Sequence, residues 1–271
     1  MDKHNYAFSD FPFPDDADMY PHHSDIDKYC NDYVDHFGFR SCIQFNTEVV
    51  EVRKASDGGW LIRTATCGQP AGSSTLHARF VAVASGHHSE PNMVRFPGQD
   101  TFPGRLFHSV HFKDPVREEL TGKRVLVVGI GNSACDIAVE AHRVASKVVV
   151  STRSGAWVYP PYLMGEATTL HANRAFLALP WRVGSCVVEA LLSCVYGSPT
   201  QWGLNPQHRA TASQPTVNAT LLQLLQRREL EVRPNVARID GETVVFADGS
   251  KSEFDVIIAA TGYLVHVPYV R

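Results

Sequence analysis

The chain has 271 residues, of which 44% are hydrophobic and 20% charged, and its formal net charge is −3. These values are ordinary for a globular protein with a substantial core, and without a basic surplus nucleic acid is excluded as a partner. The six cysteines lack C-x-x-C spacing and the thirteen histidines lack H-E-x-x-H spacing, so neither a disulfide scaffold nor a metal site is predicted.

The first part of the chain is predicted to form a helix followed by strands. The entry Met1–Phe13 has no apolar run, so it does not indicate a signal peptide. A helix is predicted from Ser24 to Gly38, with Ser24 and Asp27 as a capping box. Strands are predicted, from β-branched and apolar residues between turn residues, over Cys42–Lys54, Trp60–Thr66 and Leu76–Ala84.

The clearest unit lies in the middle of the chain. Lys123–Val128 is a short apolar run of the kind found in a central parallel strand. It leads through a glycine-rich turn, Gly129–Ala134, into a helical pattern, and a second buried strand is predicted over Lys147–Ser151. A strand, a glycine turn, a helix and a strand within about thirty residues predict a βαβ unit.

The remainder contains one apolar stretch and then further strands. Val183–Tyr196 is too short to span a bilayer and carries Glu189, so a buried helix is predicted there. Strands are predicted over Leu230–Arg233, Val236–Ile239, Thr243–Phe246 and Asp255–Ala260. The last of these is a buried strand that ends in Thr261-Gly262-Tyr263.

The turn Gly129-x-Gly131-x-x-Ala134 favours dinucleotide binding. Three small residues are a weak signal by themselves, and a turn that merely joins a strand to a helix is the alternative. The strand before and the helix after give each position a role. Gly129 permits the tight turn, Gly131 lets the backbone approach a pyrophosphate, and Ala134 lets helix and strand pack closely. The helix N-terminus then faces the phosphates with its positive end.

The end of the second strand favours NADPH over NADH. An NAD site usually has an acidic residue there for the ribose 2′-OH, whereas an NADP site needs a cation for the 2′-phosphate. The strand here ends in Ser151-Thr152-Arg153, without an acid. Arg153 supplies a planar fork suited to phosphate and Thr152 a hydroxyl. An arginine after a strand is common, so the preference for NADPH depends on Arg153 together with the absence of an acidic residue.

A second motif precedes this unit. Phe102, Gly104, His108 and Phe112 match F-x-G-x-x-x-H-x-x-x-[FY], so the chain resembles the flavin-containing monooxygenases of the dimethylaniline monooxygenase type. The Baeyer–Villiger monooxygenases end a sister pattern in Trp-Pro, where this chain has Phe112-Lys113. Further blocks in family order are Asp10–Pro14, Ser85–His87, Thr152-Arg153 with Trp157, Gly203–Pro206 and Ala260–Tyr263.

The resemblance implies a flavoprotein with two dinucleotide-binding domains and two cofactors, FAD and NADPH. In such enzymes NADPH reduces the flavin, which takes up O2 to form a C4a-hydroperoxide that an amine or sulfide substrate attacks. The protein contributes positioning and exclusion of water. The implied cofactor-binding residues are Gly129, Gly131, Asn132, Ser133, Ala134, Thr152, Arg153, Thr261 and Gly262.

No catalytic residue is assigned. His108 is expected to be a hydrogen-bonded histidine in the loop that links the domains, because a proton-transfer role would need a substrate proton within reach. Pyridine-nucleotide–disulfide reductases share the two-dinucleotide plan but need a redox dithiol, which this sequence lacks.

The expected fold is α/β, with a doubly wound, Rossmann-like NADPH domain inserted in an incomplete FAD domain. The predicted boundaries are 1–116 for the partial FAD domain, 117–250 for the NADPH domain and 251–271 for the return to the FAD domain. No G-x-G-x-x-G occurs before Ser85. The family also has an asparagine three places before the lysine that matches Lys3, and this sequence begins after that position. The chain is therefore expected to be truncated at both ends, and a non-catalytic NADP(H)-binding remnant is the alternative function.

Three further expectations concern the protein as a whole. The chain contains no predicted membrane segment and is expected to be cytoplasmic; the endoplasmic reticulum membrane face is the alternative if a C-terminal anchor follows. A homodimer is possible. The incomplete FAD part is expected to expose apolar surface and to lower the solubility of the chain.

Overall fold

A computed structural model describes residues 2–270, except for the side chains of residues 69–72. The chain forms two compact units. The first unit comprises Met1–Glu90 and Leu264–Arg271, and the second unit comprises Pro91–Tyr263. These bounds differ from the predicted 117–250, because β16 (Val256–Ala259) pairs with β6 (Arg124–Val128) inside that range and with β5 (Arg105–His108) before it.

The elements are numbered in chain order. The helices are α1 (Lys3–Tyr6), α2 (His23–His36), α3 (Asn132–His142), α4 (Arg174–Leu177), α5 (Trp181–Tyr196) and α6 (Ala219–Gln226). The strands are β1 (Thr47–Lys54), β2 (Trp60–Thr66), β3 (Gln69–Ala78), β4 (Glu90–Pro91), β5 (Arg105–His108), β6 (Arg124–Val128), β7 (Lys147–Ser151), β8 (Val158–Tyr159), β9 (Tyr162–Leu163), β10 (Glu166–Ala167), β11 (Thr216–Val217), β12 (Glu231–Arg233), β13 (Val236–Asp240), β14 (Thr243–Phe246), β15 (Lys251–Glu253), β16 (Val256–Ala259) and β17 (Tyr263–Leu264).

In the first unit, helix α2 packs against the aromatic entry segment through Tyr29. The Tyr29 hydroxyl donates to the Phe11 carbonyl at 2.6 Å, and the ring stacks on Phe13 at 4.0 Å. The predicted Ser24/Asp27 capping box is wrong. His22 is the N-cap, and its backbone N–H donates to the carboxylate of Asp25 at 2.9 Å. The helix therefore begins one residue before Ser24, because a ring nitrogen of His22 caps its first turn.

The remainder of the first unit contains an antiparallel meander in the order β1-β2-β3. The predicted strand Leu76–Ala84 is wrong beyond Ala78, where β3 ends. None of the described residues pairs with residues 79–84, and a strand forms only where its N–H and C=O groups find a neighbour. The Phe80 side chain in this segment is 82% exposed.

The second unit is built on a parallel sheet in the order β12-β7-β6-β16-β5. Alternate residues of β6 face opposite layers: Val125 and Val127 pack with α3 and α6, whereas Leu126 and Val128 pack with residues of β13 and β14. The predicted α/β class with a Rossmann-like sheet is confirmed. The second face is covered by the antiparallel sheet β13-β14-β15.

Helix α5 corrects another expectation. The predicted helix at Val183–Tyr196 is present, but it is not buried: Val183, Val187 and Val195 are about half exposed, and only Gly184, Ser185 and Leu192 are buried. Among residues 2–270, no helix is long and apolar enough to cross a membrane.

Candidate dinucleotide site

The turn after β6 brings the chain close to strand β16. Gly129 has φ of +129°, a conformation that L side chains rarely adopt, and its N–H donates to the Ser151 carbonyl at 2.8 Å. A Cβ at this position would lie 2.2 Å from the Ala260 carbonyl oxygen. Gly129 is therefore required by the fold itself, whether or not a ligand binds.

Gly131 differs from Gly129 in its backbone conformation and in the space that a side chain would have. Its φ is −76°, which any residue adopts, and a Cβ there would meet no atom within 4 Å. Nothing in the described protein therefore requires glycine at this position. The same residue is the N-cap of α3 and provides no side-chain cap. The open space lies before the positive end of an 11-residue helix, which is the arrangement that lets a phosphate approach backbone N–H groups.

The other residues of the turn have different surroundings. Ala134 is fully buried in the core between α3 and the sheet. The Asn132 side chain holds the segment before α6: its Oδ1 accepts from the Val217 N–H at 2.7 Å and its Nδ2 donates to the Pro215 carbonyl at 3.3 Å. Ser133 is exposed in the first turn of α3. The side chain of Asn132 thus has an architectural role, and its backbone lies at the helix N-terminus.

A cavity of about 450 Å³ lies beyond the carboxyl end of β7. Thr152 and Arg153 both line it. The Thr152 hydroxyl accepts from the Gly155 N–H at 3.0 Å, which fixes the turn after β7. Arg153 is exposed, so its guanidinium is accessible to a ligand in the cavity.

Thr261 and Gly262 follow β16 at the same edge of the sheet as Gly129, since β16 and β6 are parallel neighbours with Ala259 opposite Val128. The Thr261 hydroxyl donates to the Asn92 carbonyl at 2.5 Å. Gly262 has φ of +81°, and its carbonyl accepts from Nε2 of His108 at 2.9 Å. The structure brings these residues to the edge where the glycine turn lies.

The motif from Phe102 to Phe112 attaches β5 to the sheet. A Cβ on Gly104 would lie 2.1 Å from the Asp255 carbonyl oxygen, so only glycine permits this approach. Phe102 packs against the core on one face of the sheet, and Phe112 packs against the core on the other. Each of these residues is explained by packing within the second unit.

His108 is 2% exposed and both ring nitrogens are used. Nδ1 accepts from the Val110 N–H at 3.2 Å, so Nε2 carries the proton donated to Gly262. Burial lowers the pKa of His108, partly offset by the Gly262 hydrogen bond, and the neighbouring His111 lowers it further. The ring is neutral and saturated with internal partners, which fits a structural histidine and leaves no nitrogen to accept a substrate proton.

Comparisons with known proteins show the family of the chain. The family model for flavin-binding monooxygenase-like proteins matches residues 1–271. The chain belongs to this family. It is 34% identical over 290 residues to flavin-containing monooxygenase 5 of Rattus norvegicus, covering 99% of the chain and 52% of the relative. It is 36% identical over 272 residues to dimethylaniline monooxygenase [N-oxide-forming] 2 of Mus musculus, covering 95% and 49%. The chain spans about half the length of these curated relatives.

Solved structures share the fold of this flavin-binding monooxygenase-like chain. A flavin-containing monooxygenase from Stenotrophomonas maltophilia has a TM-score of 0.70 at 17% identity, with 100% of the chain and 66% of that structure covered. The structure of Tmm from Pelagibacter sp. strain HTCC7211 has a TM-score of 0.65 at 21% identity, covering 99% and 47%.

The sequence analysis did not predict that the end of β12 would lie beside the end of β7 at this cavity. Glu231 and Arg233 of β12, together with Gln207 and Asp248, also line the cavity. The signal was available, because Leu230–Arg233 was predicted as a strand and neighbouring parallel strands end at one edge. The order of strands was not available from sequence. Among residues 2–270, no group of three His, Cys, Asp or Glu side chains could hold a metal ion.

Proposed function

We propose that this chain supplies the NADP(H)-binding part of a flavin-dependent monooxygenase that uses NADPH and O2 to oxygenate soft nitrogen or sulfur nucleophiles. The observation that carries the proposal is the open space at Gly131 before the uncapped end of α3, a glycine that no internal contact explains. Family membership supports the flavin chemistry, and the N-oxide-forming name of the mouse relative supports nitrogen as one of the oxygenated atoms.

The residues fit a phosphorylated nicotinamide dinucleotide in two places. Backbone N–H groups at the start of α3 would hold the diphosphate, helped by the positive end of the helix. Arg153, beyond the next strand, would hold the 2′-phosphate as a planar fork. Both lie at the carboxyl edge of the parallel sheet, where ligands bind in open α/β folds.

FAD, when bound, would supply the oxygen chemistry. Among its described residues, the first unit contains one helix of more than one turn and a three-stranded antiparallel sheet, without a strand–glycine turn–helix for a second diphosphate. The function proposed for this chain therefore depends on the residues that would recognise NADPH.

Titration with NADPH and NADH, followed by quenching of the four tryptophans, tests the nucleotide preference. Because a 2′-phosphate is present only in NADPH, Arg153→Glu should weaken NADPH binding about tenfold or more and change NADH binding about twofold at most. Arg238→Glu is the matched control, since Arg238 lies on β13 and is not among the residues that line the cavity. Absence of NADPH binding, or an equal loss for both nucleotides, would contradict the proposal.

Oxygenation needs a separate assay. The protein supplemented with FAD and NADPH is given a tertiary amine or a sulfide, and substrate-dependent O2 uptake and oxide formation are measured. Turnover supports the monooxygenase assignment. Tight NADPH binding without flavin retention or O2 uptake would instead support the alternative, a non-catalytic NADP(H)-binding chain.

A further inference from the structure

The cavity beyond β7 is bordered by two arginines, not one. Arg233 is the last residue of β12 and lies opposite Ser151 in the parallel register. Its carbonyl accepts from the Thr152 N–H at 3.0 Å, so its backbone is tied to the turn that carries Arg153. Both side chains line the same cavity.

The Arg233 guanidinium is incompletely paired. Its Nε is buried and has no hydrogen-bond partner among the described residues. Its Nη2 forms an ion pair with Glu231, two residues earlier on the same strand face. A buried donor without an acceptor is costly, so this side chain favours a further anionic acceptor.

The charges that line the cavity are balanced. Arg153 and Arg233 are cationic, whereas Glu231 and Asp248 are anionic. Asp248 is held by Ser250, whose N–H and hydroxyl donate to its carboxylate at 2.9 and 2.6 Å. Those hydrogen bonds lower the pKa of Asp248, and the charge of Arg233 adds to the effect. A phosphate dianion in this cavity would therefore compete with Glu231 for the Arg233 guanidinium.

We propose that Arg233 is a second residue recognising the 2′-phosphate of NADPH, and that Glu231 weakens this recognition by competing for the same guanidinium. The inference rests on the proposed function, because it concerns the same nucleotide site. It adds a specificity-determining pair on β12 to Arg153 on the turn after β7. In effect, the charge of Glu231 sets how strongly the site prefers the phosphorylated nucleotide.

Calorimetric titration with adenosine 2′,5′-bisphosphate and with AMP isolates the 2′-phosphate. Arg233→Gln should weaken binding of the bisphosphate about tenfold and change AMP binding about twofold at most. Glu231→Gln should strengthen binding of the bisphosphate about threefold and leave AMP unchanged. Arg233→Lys should restore part of the loss, because it returns the charge without the fork. Arg238→Gln is the control for loss of a surface arginine outside the cavity lining.

The outcomes separate this inference from the proposed function. If the unaltered chain binds NADPH and Arg153→Glu abolishes the preference, but Arg233→Gln weakens both test ligands equally, Arg233 has a structural role and only this inference is overturned. If Glu231→Gln fails to strengthen binding of the bisphosphate, the competition is overturned. If the unaltered chain binds neither NADPH nor the bisphosphate, both proposals fall.

Discussion

Gly104 lies at the amino-terminal ends of the strands of the parallel sheet, and Gly131 lies at their carboxyl-terminal ends. The two residues are glycines for different reasons. Gly104 precedes β5, and a side chain there would run into the Asp255 carbonyl oxygen at 2.1 Å. Gly131 follows β6, has ordinary backbone angles, and has open space where a side chain would lie. The first glycine is explained by the protein alone. No contact within the described protein explains the second, and we propose that the nucleotide approaches there.

A similar contrast holds between polar residues at the carboxyl edge of the sheet. His108, at the end of β5, has both ring nitrogens bonded to backbone groups. Arg153 is exposed in a cavity, and the Nε of Arg233 has no partner among the described residues. The motif that most clearly indicates the family is thus architectural, whereas the weaker glycine signal marks the edge at which we propose that NADPH binds.

Replacing Gly104 by alanine should give the largest loss of stability. The added Cβ would force β5 away from the chain before β16, because the obstacle is backbone and not a flexible side chain. We expect the free energy of unfolding to fall by about 3 kcal/mol, at the upper end for overpacking. Denaturant unfolding measures it, and a loss below about 0.5 kcal/mol would remove the contrast with Gly131.

Replacing His108 by leucine should cost about 2 kcal/mol, because the Gly262 carbonyl and the Val110 N–H would each lose a partner in a buried place. His111→Gln serves as the control, since His111 is exposed in the same short segment. The control should lie within about 0.5 kcal/mol of the unaltered chain. Equal losses in the two variants would show that His108 is not the residue that holds this junction.

The pH dependence of stability gives a smaller and independent test. Burial lowers the pKa of His108 below its ordinary value of 6.5, so the unfolded chain binds the proton more readily than the folded chain. The stability difference between the unaltered chain and His108→Leu should be constant above about pH 6.5 and should shrink as the pH falls below it. A difference that grows on acidification would mean that the histidine is charged in the folded protein.

Asn132→Ala should have the smallest effect and sharpens the comparison within the turn. The side chain bonds the Val217 N–H and the Pro215 carbonyl, and both bonds are exposed. We expect a loss of about 1 kcal/mol in unfolding free energy, with NADPH affinity changed less than about threefold. A large loss of affinity at full stability would assign the side chain itself to nucleotide binding.

The sequence was sufficient for the elements whose pattern is local. Strands β2, β7 and β14 have the predicted bounds, and the turn from β6 into α3 follows from its glycines and the apolar runs beside it. The flavin-containing monooxygenase family was identified from residues 102–112. Spacing alone could not explain Gly104, because its reason is the carbonyl of Asp255, which is 151 positions away along the chain.

Features that depend on long-range pairing were not predictable in the same way. The apolar run 79–84 has strand character but no pairing partner among the described residues, and the apolar pattern of α5 does not determine which side is covered. Arg233 needed the strand order, which places β12 beside β7. The domain bounds shifted for the same reason, since β5 and β16 pair with each other and β16 pairs with β6.

The most direct test of the account is the affinity of Gly131→Ala for NADPH, measured beside its unfolding free energy. A methyl group in the open space before α3 would obstruct a diphosphate and disturb nothing inside the protein. We expect NADPH binding to weaken at least about tenfold while stability changes by less than about 0.5 kcal/mol. Unchanged affinity would contradict the claim that the turn holds the nucleotide, and so would a weakening that is matched by a general loss of stability.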